Sequence, residues 1–359
     1  MLLAGCTRAN PEFVGGAGDG APPADHGAWD LGPPPEQGPV PDTGRPDLPD
    51  PNKKPNGVDV LLVVDNSAGM GYPQQWLSRD LDTLVSGLNA LPGGPNYRIG
   101  VVTTDMGAGA FANAGCSASG DHGELQVPES CPSPQGSARY VQRVGGTVNV
   151  STSVEAALGC YITAMGTSGC GFEQPLKAMK AALGQSKGFL RGDAALAVVI
   201  LTNEDDCSAA SDTLFNPEDA ALGPYTSYRR FQYGVLCNGQ QPPLAATLLA
   251  GCVPGQKWLL DVQGEYVSFL QGLKPKGWVS LLALVGPTAK QVTVVQTNYN
   301  PPRYNVKETC SYGSLEGYPG FRLQQLVAGM GPLAILDYVC NNNYRPALQG
   351  LVLRVQSAF

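Results

Sequence analysis

The sequence predicts a doubly wound α/β fold, in which a mostly parallel, Rossmann-like sheet is covered by helices on both faces. Three runs of strand length, residues 58–64, 194–202 and 278–285, are almost entirely apolar. Such runs are typical of parallel strands that are buried on both faces. Stretches with apolar residues at helical spacing lie between them, and the alternation of the two patterns indicates crossover helices on both faces of the sheet.

The first elements follow one another without interruption. Residues 58–64, VDVLLVV, predict the first strand, and the leucines of residues 77–91 recur every three or four positions, which predicts an amphipathic helix. Pro-Gly-Gly-Pro at 92–95 ends this helix, and residues 97–105 predict the second strand. Over residues 106–171 the periodicity is lost and Gly, Ser, Pro and Cys dominate, so we expect a disulfide-bonded insertion there, the first irregular segment.

The same alternation returns in the second half of the chain. Residues 173–183 predict a helix and 194–202 a strand, and a second irregular segment covers about 207–260. The later elements are predicted to be a helix at 262–273, a strand at 278–285, a short helix at 323–327, a strand at 333–336 and a final helix at 348–355. The pattern therefore predicts one domain, residues 57–359, that is enlarged by two insertions.

The first 56 residues differ from the rest in composition. Residues 2–6, LLAGC, resemble the lipobox of bacterial lipoproteins, in which the cysteine is acylated, so Cys6 is the candidate lipidation site. Because a secretory signal also needs a basic and a longer apolar segment, we interpret residues 1–6 as a truncated signal. Residues 7–56 contain 12 prolines and 8 glycines and few large apolar residues, which predicts a disordered tether.

The other nine cysteines indicate disulfide bonds. None forms a CxxC pair and the chain has only two histidines, so zinc-site spacing is absent and an oxidising compartment is the better explanation. Short loop closures give three expected pairs, Cys116 with Cys131, Cys237 with Cys252, and Cys310 with Cys340. Cys160, Cys170 and Cys207 would then share one bond and leave one thiol, although spacing alone does not fix the connectivity.

Charge and hydropathy exclude two classes of partner. The chain has 23 Lys and Arg against 30 Asp and Glu, a formal net charge of -7, whereas nucleic-acid binding needs clustered cations. No uninterrupted apolar run reaches the roughly 18 residues of a membrane-spanning helix. We therefore expect no nucleic-acid partner, and attachment to a membrane only through the lipid anchor.

Oxygen-bearing side chains follow the predicted strands. Asp65 and Ser67 come directly after the first strand, Asp105 ends the second, and NEDD at 203–206 follows the third. In doubly wound sheets, ligands bind at the carboxyl ends of the strands. Carboxylates and hydroxyls placed there on tight turns are suited to bind Mg²⁺ or Ca²⁺.

These motifs resemble those of von Willebrand factor A (VWA) domains. VDVLLVVDNSAGM, residues 58–70, resembles the first strand and the DxSxS motif with which that family's metal-ion-dependent adhesion site (MIDAS) begins. RIGVVTTD at 98–105 is similar to the second strand, and AVVILTNEDDCS at 197–208 to the strand that usually ends in Thr-Asp. The segments GTSGCGFEQPL and DDCS resemble exported bacterial lipoproteins of this type, and the resemblance spans most of 57–357.

The resemblance implies a metal ion whose open coordination position is filled by an acidic residue of a partner protein, so that adhesion depends on the metal. Asp65 and Ser67 match the first two ligands, but Gly69 stands where the family has a second serine. The family's threonine falls on Phe172, and its aspartate falls on Asn203. Three of the five ligand positions therefore depart from the pattern.

Two nearby carboxylates are candidate substitute ligands. Glu173 adjoins Phe172, Asp205 lies two residues after Asn203, and with both the site would favour Ca²⁺ over Mg²⁺. The predicted metal site thus comprises Asp65, Ser67, Glu173, Asn203 and Asp205. The alternative is that Asp65 and Ser67 cap the following helix and that the site binds no metal.

The sequence favours a binding module over an enzyme. Catalysis by Ser, His and Asp would need His122, which lies in the first irregular segment and is typical of a solvated loop. We expect a lipoprotein of the bacterial cell envelope that binds an envelope or extracellular protein, with the outer membrane favoured because Thr7 follows Cys6. A secreted metal-dependent hydrolase that uses the carboxylates of 203–206, and a structural surface protein with a decayed site, are the alternatives.

Overall fold

Strands and helices alternate along most of the chain, which the computed structural model describes at residues 53–113, 115–185, 188–300 and 302–359. The strands are β1 (Val58–Val64), β2 (Asn96–Thr103), β3 (Val141–Val144), β4 (Thr147–Val148), β5 (Ala195–Leu201), β6 (Val235–Cys237), β7 (Thr247–Ala250), β8 (Cys252–Pro254), β9 (Val279–Val285), β10 (Gln291–Thr297), β11 (Arg303–Val306), β12 (Cys310–Tyr312), β13 (Leu315–Gly317) and β14 (Ala334–Tyr338). The helices are α1 (Gly71–Asn89), α2 (Val154–Ala164), α3 (Pro175–Gln185), α4 (Tyr228–Gly234), α5 (Ser268–Leu273), α6 (Phe321–Met330) and α7 (Arg345–Gln356). A π-helical segment, Val262–Val267, leads directly into α5.

The central sheet has seven strands in the order β14-β9-β5-β1-β2-β3-β4. The first five strands in this order run parallel to one another, and β3 and β4 add an antiparallel edge. The winding direction reverses at β1, because β2 pairs on one side of it and β5 on the other. This is a doubly wound topology, and it confirms the predicted fold class.

Helices cover both faces of the sheet because its central strands are apolar on both. On one face α1, α2 and α7 pack with Val60 and Leu62, and on the other α3, α5 and α6 pack with Leu61 and Val63. Every residue of β1, β5 and β9 is buried. Successive side chains of a strand point to opposite faces, so a strand between two helix layers needs a continuous apolar run.

The first irregular segment is only partly an insertion. It contributes β3 and β4 to the edge of the sheet and α2 to the core, which corrects the expectation of irregular structure throughout 106–171. The hydroxyl of Ser153 caps α2 by accepting from Ala156 N at 3.1 Å. Gly159 lets α2 approach α1 closely, since a Cβ there would lie 2.5 Å from Ser78 Oγ. Val154, Leu158 and Ile162 recur at helical spacing and are buried, so α2 has an apolar stripe in the sequence that the prediction of an irregular segment overlooked.

Three small sheets lie outside the central one, in the orders β11-β10-β7, β12-β13 and β6-β8. No strand was predicted between residues 285 and 323, where β10 and β11 are found, so the prediction for this part of the chain is wrong. Val292 and Val294 of β10 are buried and the residues between and before them are exposed, so the strand has the alternation of a sheet with one solvated face.

Four disulfide bonds join cysteines of the described residues. Cys237–Cys252 and Cys310–Cys340 form as predicted. The predicted pair Cys116–Cys131 is wrong, because the structure pairs Cys116 with Cys170 and Cys131 with Cys160. Helix α2 places Cys160 next to Cys131, so these two cysteines pair although Cys116 is closer to Cys131 in the sequence. Among the described cysteines Cys207 is the free one, and it is buried.

The predictions for the N-terminus fall outside the described residues. Cys6, the lipobox resemblance and the tether as far as residue 52 therefore stay predictions. Just before β1, Asn56 N donates to Asp193 O at 2.8 Å. No helix within the described ranges is both long enough and apolar enough to cross a membrane.

Candidate functional site

The carboxyl ends of β1 and β5 meet at Asp65 and Thr202. The two strands are parallel, with Val64 opposite Leu201, so the residues that follow them lie side by side. Thr202 Oγ1 donates to Asp65 Oδ2 at 2.7 Å, and Ser67 N donates to Asp65 Oδ1 at 2.7 Å. Burial raises the pKa of Asp65 to about 6, and these hydrogen bonds oppose only part of the rise. Both oxygens of this buried carboxylate are thus engaged within the protein.

Asp65 and Ser67 do not cap the following helix. Met70 is the residue that precedes α1, and its side chain makes no capping hydrogen bond. The carboxylate of Asp65 instead accepts from Ser67 N, two residues later in the chain, and so closes a tight turn before the helix begins. Gln74 of α1 ties the helix to this turn, because its Nε2 donates to Asp65 O at 2.9 Å and to Gly166 O at 2.9 Å. The helix-cap alternative is therefore wrong, and Asp65 instead fixes the conformation of the loop of residues 65–70.

Two of the predicted ligands keep an oxygen without a partner. Ser67 Oγ and Asn203 Oδ1 are buried and accept no hydrogen bond from any described residue. Asn203 is held by its amide nitrogen, which donates to Glu316 O of β13 at 2.9 Å. A Cβ added to Gly69 would lie 3.5 Å from Asn203 Nδ2, so the loop after β1 and Asn203 are neighbours. Buried oxygens without partners destabilise a fold unless another group binds them.

A buried arginine stands beside Glu173, the third predicted ligand. Arg230 of α4 forms ion pairs with Glu204 and with Glu173, whose Oε2 lies 3.8 Å from Arg230 Nη1. The side chains of Arg230, Glu173 and Glu204 are 5%, 1% and 14% exposed, so water screens these charges little. Burial, followed by the charges of Glu204 and Asp65, raises the pKa of Glu173 well above its usual value. We call Glu173, Glu204 and Arg230 the Arg230 cluster.

Asp205 does not join these residues. Its two carboxylate oxygens accept from Arg322 N at 3.1 Å in the first turn of α6, where a negative charge also suits the helix dipole. Asp206 accepts from Leu176 N of α3 at 3.1 Å and from the guanidinium of Arg322 at 3.0 Å. The structure therefore gives Asp205 a structural role in place of the predicted one, and the carboxylates of 203–206 are engaged in internal contacts.

The charges at the strand ends do not fit a divalent cation. Within the described residues, no group of three or more His, Cys, Asp and Glu is placed to hold a metal ion. The free oxygens of Ser67 and Asn203 would suit one, but Arg230 already neutralises charge on Glu173 and Glu204. A divalent ion on Glu173 would compete with the Arg230 guanidinium for the same carboxylate and would be repelled by its charge. The geometry thus gives the predicted Mg²⁺ or Ca²⁺ no support.

Phe172 occupies the position at which the resemblance expects a threonine ligand. Its ring packs against Phe215 with centroids 5.1 Å apart, inside a buried cluster that includes Ala108, Cys116 and Cys207. Because Ala108 and Cys116 belong to the first irregular segment and Phe215 to the second, this cluster joins the two segments at the end of β5. Phe172 is therefore a core residue of the joined segments.

Exposed aromatic side chains border the loop of residues 65–70. Tyr72 in the first turn of α1 and Tyr312 of β12 are 41% and 43% exposed, and their ring centroids are 6.2 Å apart. Trp76 packs against both rings, at 5.8 Å from Tyr72 and 4.9 Å from Tyr312. We call Tyr72, Trp76 and Tyr312 the aromatic rim. It lies beside the candidate site because the β12–β13 hairpin also contacts Asn203.

No role was predicted from the sequence for Thr202, Glu204 or Arg230. Thr202 and Glu204 flank Asn203 at the end of β5, so the same strand-end argument that selected Asn203 could have included them. No sequence signal marks Arg230, which lies in an irregular segment and reaches Glu173 only through the fold. His122, considered above for catalysis, is an exposed loop residue.

Comparisons with known proteins add little to this geometry. No protein-family model matches the chain, and no curated protein matches it. It is similar to solved structures of proximal thread matrix protein 1 from the mussel byssus (11% identity, TM-score 0.36), human COPII-coat protein Sec24c (14%, 0.38) and the pilus adhesin SpaC from Lactobacillus rhamnosus GG (10%, 0.36). These alignments cover 84%, 86% and 85% of this chain, and the chain spans only 48%, 34% and 31% of those proteins.

One structure of the mussel protein has a zinc-occupied MIDAS motif. TM-scores of 0.36 to 0.38 are too low for any of these likenesses to carry an argument about this chain. The fold assignment rests instead on the strand order and on the two helix layers described above. The chain has a VWA-like α/β fold.

Proposed function

We propose that this chain is a protein-binding module displayed on a bacterial cell envelope. Its docking face is the carboxyl edge of the sheet, where the loop of residues 65–70, Asn203 and the aromatic rim lie together. The observation that carries the proposal is the exposure of Tyr72 and Tyr312 beside that loop. Aromatic side chains are enriched at protein interfaces and among the residues that dominate binding energy.

The aromatic rim keeps one geometry before a partner arrives. Trp76 is buried and also contacts the buried ring of Tyr344, with centroids 6.0 Å apart. The Cys310–Cys340 bond ties β12, which carries Tyr312, to the chain that follows β14. Rings that are already fixed lose little conformational entropy on binding, and this favours affinity.

The proposed location is the outer face of the envelope, with the lipid on Cys6 as the anchor and the outer membrane favoured. The lipobox resemblance and the proline-rich composition of residues 7–56 support this proposal. Four disulfide bonds support it as well, because such bonds persist in oxidising compartments. The partner we propose is another envelope or extracellular protein, with the first irregular segment contributing to specificity.

The hydrolase alternative gains no specific observation. Catalysis by a carboxylate pair needs side chains that can reach a substrate, whereas Asp205 and Asp206 are bound to α6, α3 and Arg322. A cavity of about 690 Å³ lies between Leu125, Arg139 and neighbouring residues, and none of the strand-end residues lines it. A binding role is therefore the function that the geometry supports best.

Site-specific photo-cross-linking on the full chain in its host tests the proposal. A photoreactive phenylalanine derivative at position 72 should cross-link one discrete envelope protein, which mass spectrometry then identifies. The same derivative at position 299 is the control, because Tyr299 is 62% exposed and does not belong to the aromatic rim.

Binding of the identified partner should then fall about 30-fold in Tyr72→Ala and in Tyr312→Ala, since loss of a dominant interface residue costs about 2 kcal/mol. Tyr299→Ala should bind like the wild type. Equal cross-linking from positions 72 and 299, or unchanged binding in both aromatic-rim variants, would refute the docking face and favour a purely structural surface protein.

A further inference from the structure

The strand-end site already contains a cation of its own. Arg230 enters it from α4 in the second irregular segment and is 5% exposed. Its guanidinium pairs with Glu204 and Glu173, and it also lies 5.7 Å from the ring centroid of Tyr318. An arginine held by two carboxylates and an aromatic face keeps its charge and its position.

From this arrangement we infer that Arg230 is the resident cation of the site and takes the place of a divalent metal ion. The guanidinium supplies the positive charge that Glu204 requires in a buried setting. An arginine side chain cannot offer the vacant coordination position that a metal ion offers to a partner's carboxylate. The site is therefore metal-independent as it stands.

The oxygens without partners give a second, independent observation. Ser67 Oγ and Asn203 Oδ1 are buried and accept no hydrogen bond from the described residues. Oxygens of this kind suit a hard cation. Removal of the arginine charge should therefore convert the site into one that binds a divalent cation, because the repulsion disappears and the oxygens remain.

The inference also bears on how a partner binds. If the docking face proposed above is correct, contact with the partner relies on the aromatic rim and requires no metal bridge. This consequence rests on the proposed function, whereas the occupation of the site by Arg230 does not. The unfolding experiment below uses the protein alone, so a negative result counts against Arg230 as the resident cation. A negative cross-linking result counts against the docking face.

The experiment is a thermal unfolding series on the full chain with Mn²⁺, Mg²⁺, Ca²⁺ or a chelator. The Tm of the wild type should change by less than about 1 °C under every condition. Arg230→Gln, which keeps much of the side-chain length without the charge, should gain a saturable rise in Tm of about 5 °C at a cation concentration near 100 times Kd. Lys180→Gln is the matched control, because it removes a partly exposed cation that is paired with Glu265, and it should gain no response.

Addition of Ser67→Ala to Arg230→Gln should abolish the gained response, because Ser67 Oγ is one of the oxygens without a partner. If Arg230→Gln fails to fold in buffer, recovery of the folded signal with Mn²⁺ is the expected result. A saturable cation response in the wild type overturns the inference. So does an Arg230→Gln protein that is folded but indifferent to all three cations, or one that no cation restores.

Discussion

At the scale of single residues, backbone geometry explains one departure from the VWA ligand pattern. Gly69 stands where the family has a second serine, and its φ is 97°. Residues with a Cβ rarely adopt this conformation, because the Cβ then crowds the following carbonyl oxygen. A serine at position 69 would therefore strain the loop as it is built here. The absence of the second serine ligand is therefore consistent with the backbone conformation that the loop of residues 65–70 adopts at Gly69.

Asp205 gives a prediction about pH. Burial raises the pKa of Asp205 to about 6, with Arg322 opposing the rise, whereas an unfolded aspartate titrates near 3.9. Between roughly pH 4 and pH 6 the folded state holds a proton that the unfolded state has lost, so stability must fall as pH rises. Relative to Asp205→Asn, the free energy of unfolding of the wild type should decrease by about 1.4 kcal/mol per pH unit across that window. Urea unfolding at four pH values measures this.

Asp205→Ala distinguishes two effects of Asp205 on stability, its titration and the hydrogen bond that it accepts from Arg322 N in the first turn of α6. Asn can accept the same backbone hydrogen bond, so Asp205→Asn should keep the cap, while the alanine variant should lose about 1 kcal/mol at every pH. Above about pH 7 the difference between the wild type and Asp205→Asn should level off, because Asp205 has then lost its proton in the folded state as well. A difference that stays constant from pH 4 to pH 7 would show that Asp205 titrates normally in the folded protein.

Part of the candidate site could be predicted from the sequence. Asp65, Ser67 and Asn203 could be selected because they follow buried strands, and the structure brings the loop after β1 next to Asn203. Asp205 was selected by proximity in sequence alone, and its position two residues after Asn203 directs its carboxylate to α6. Arg230 could not be selected, since contacts between residues far apart in sequence leave no local pattern.

At the scale of elements, the β12–β13 hairpin makes a prediction about disulfide bonds. The Cys310–Cys340 bond closes a sequence separation of 30 residues and holds the hairpin that carries Tyr312. Replacement of both cysteines by serine should lower the free energy of unfolding by about 3–4 kcal/mol, because the unfolded chain gains conformational freedom. Cross-linking from position 72 to the partner should also decrease, since the aromatic rim loses its support.

Removal of the Cys237–Cys252 bond is the matched control. That bond closes 15 residues and lies in a different small sheet, β6-β8, so its loss should cost about 3 kcal/mol. Cross-linking from position 72 should then be retained at temperatures at which both variants are folded. An equal loss of cross-linking in the two variants would mean that general stability, and not the hairpin, controls the docking face.

The elements that could be predicted from the sequence are the strands that are buried on both faces along their whole length. β1, β5 and β9 are buried along their whole length, and such a position demands a continuous apolar run that is visible in the sequence. α2 has a shorter signal, since Val154, Leu158 and Ile162 form its buried stripe within a segment dominated by Gly, Ser, Pro and Cys, and it was overlooked for that reason. β10 alternates over only a few residues and pairs with strands far away in sequence, so its local signal is weak.

At the scale of the whole molecule, the two edges of the sheet differ in how their buried polar groups are paired. At the amino edge the buried Asp59 accepts from Arg191 Nε at 2.8 Å, and each of these charges has a partner. At the carboxyl edge the buried oxygens of Ser67 and Asn203 have none within the described residues. The unpaired oxygens thus lie on the side of the sheet at which the docking face is proposed.

The disulfide pattern of the whole molecule leads to the last prediction. Four bonds leave Cys207 as the free cysteine of the described residues, and it is fully buried at the end of β5. Burial also raises the pKa of its thiol, so the reactive thiolate is scarce in the folded state. In a Cys6→Ser protein that has not been reduced, no thiol should react with a colorimetric disulfide reagent under native conditions, and one per chain should react in denaturant.

The labelling rate then reports on the fold as a whole. Cys207 is enclosed by the cluster that joins the two irregular segments, so its thiol should become accessible only when β5 and that cluster separate. Its labelling rate should therefore follow global unfolding as urea increases, and Cys207→Ser should show no labelling at all. Two or more reactive thiols in denaturant would contradict the four-bond pattern, and fast labelling of the native protein would contradict the burial of Cys207.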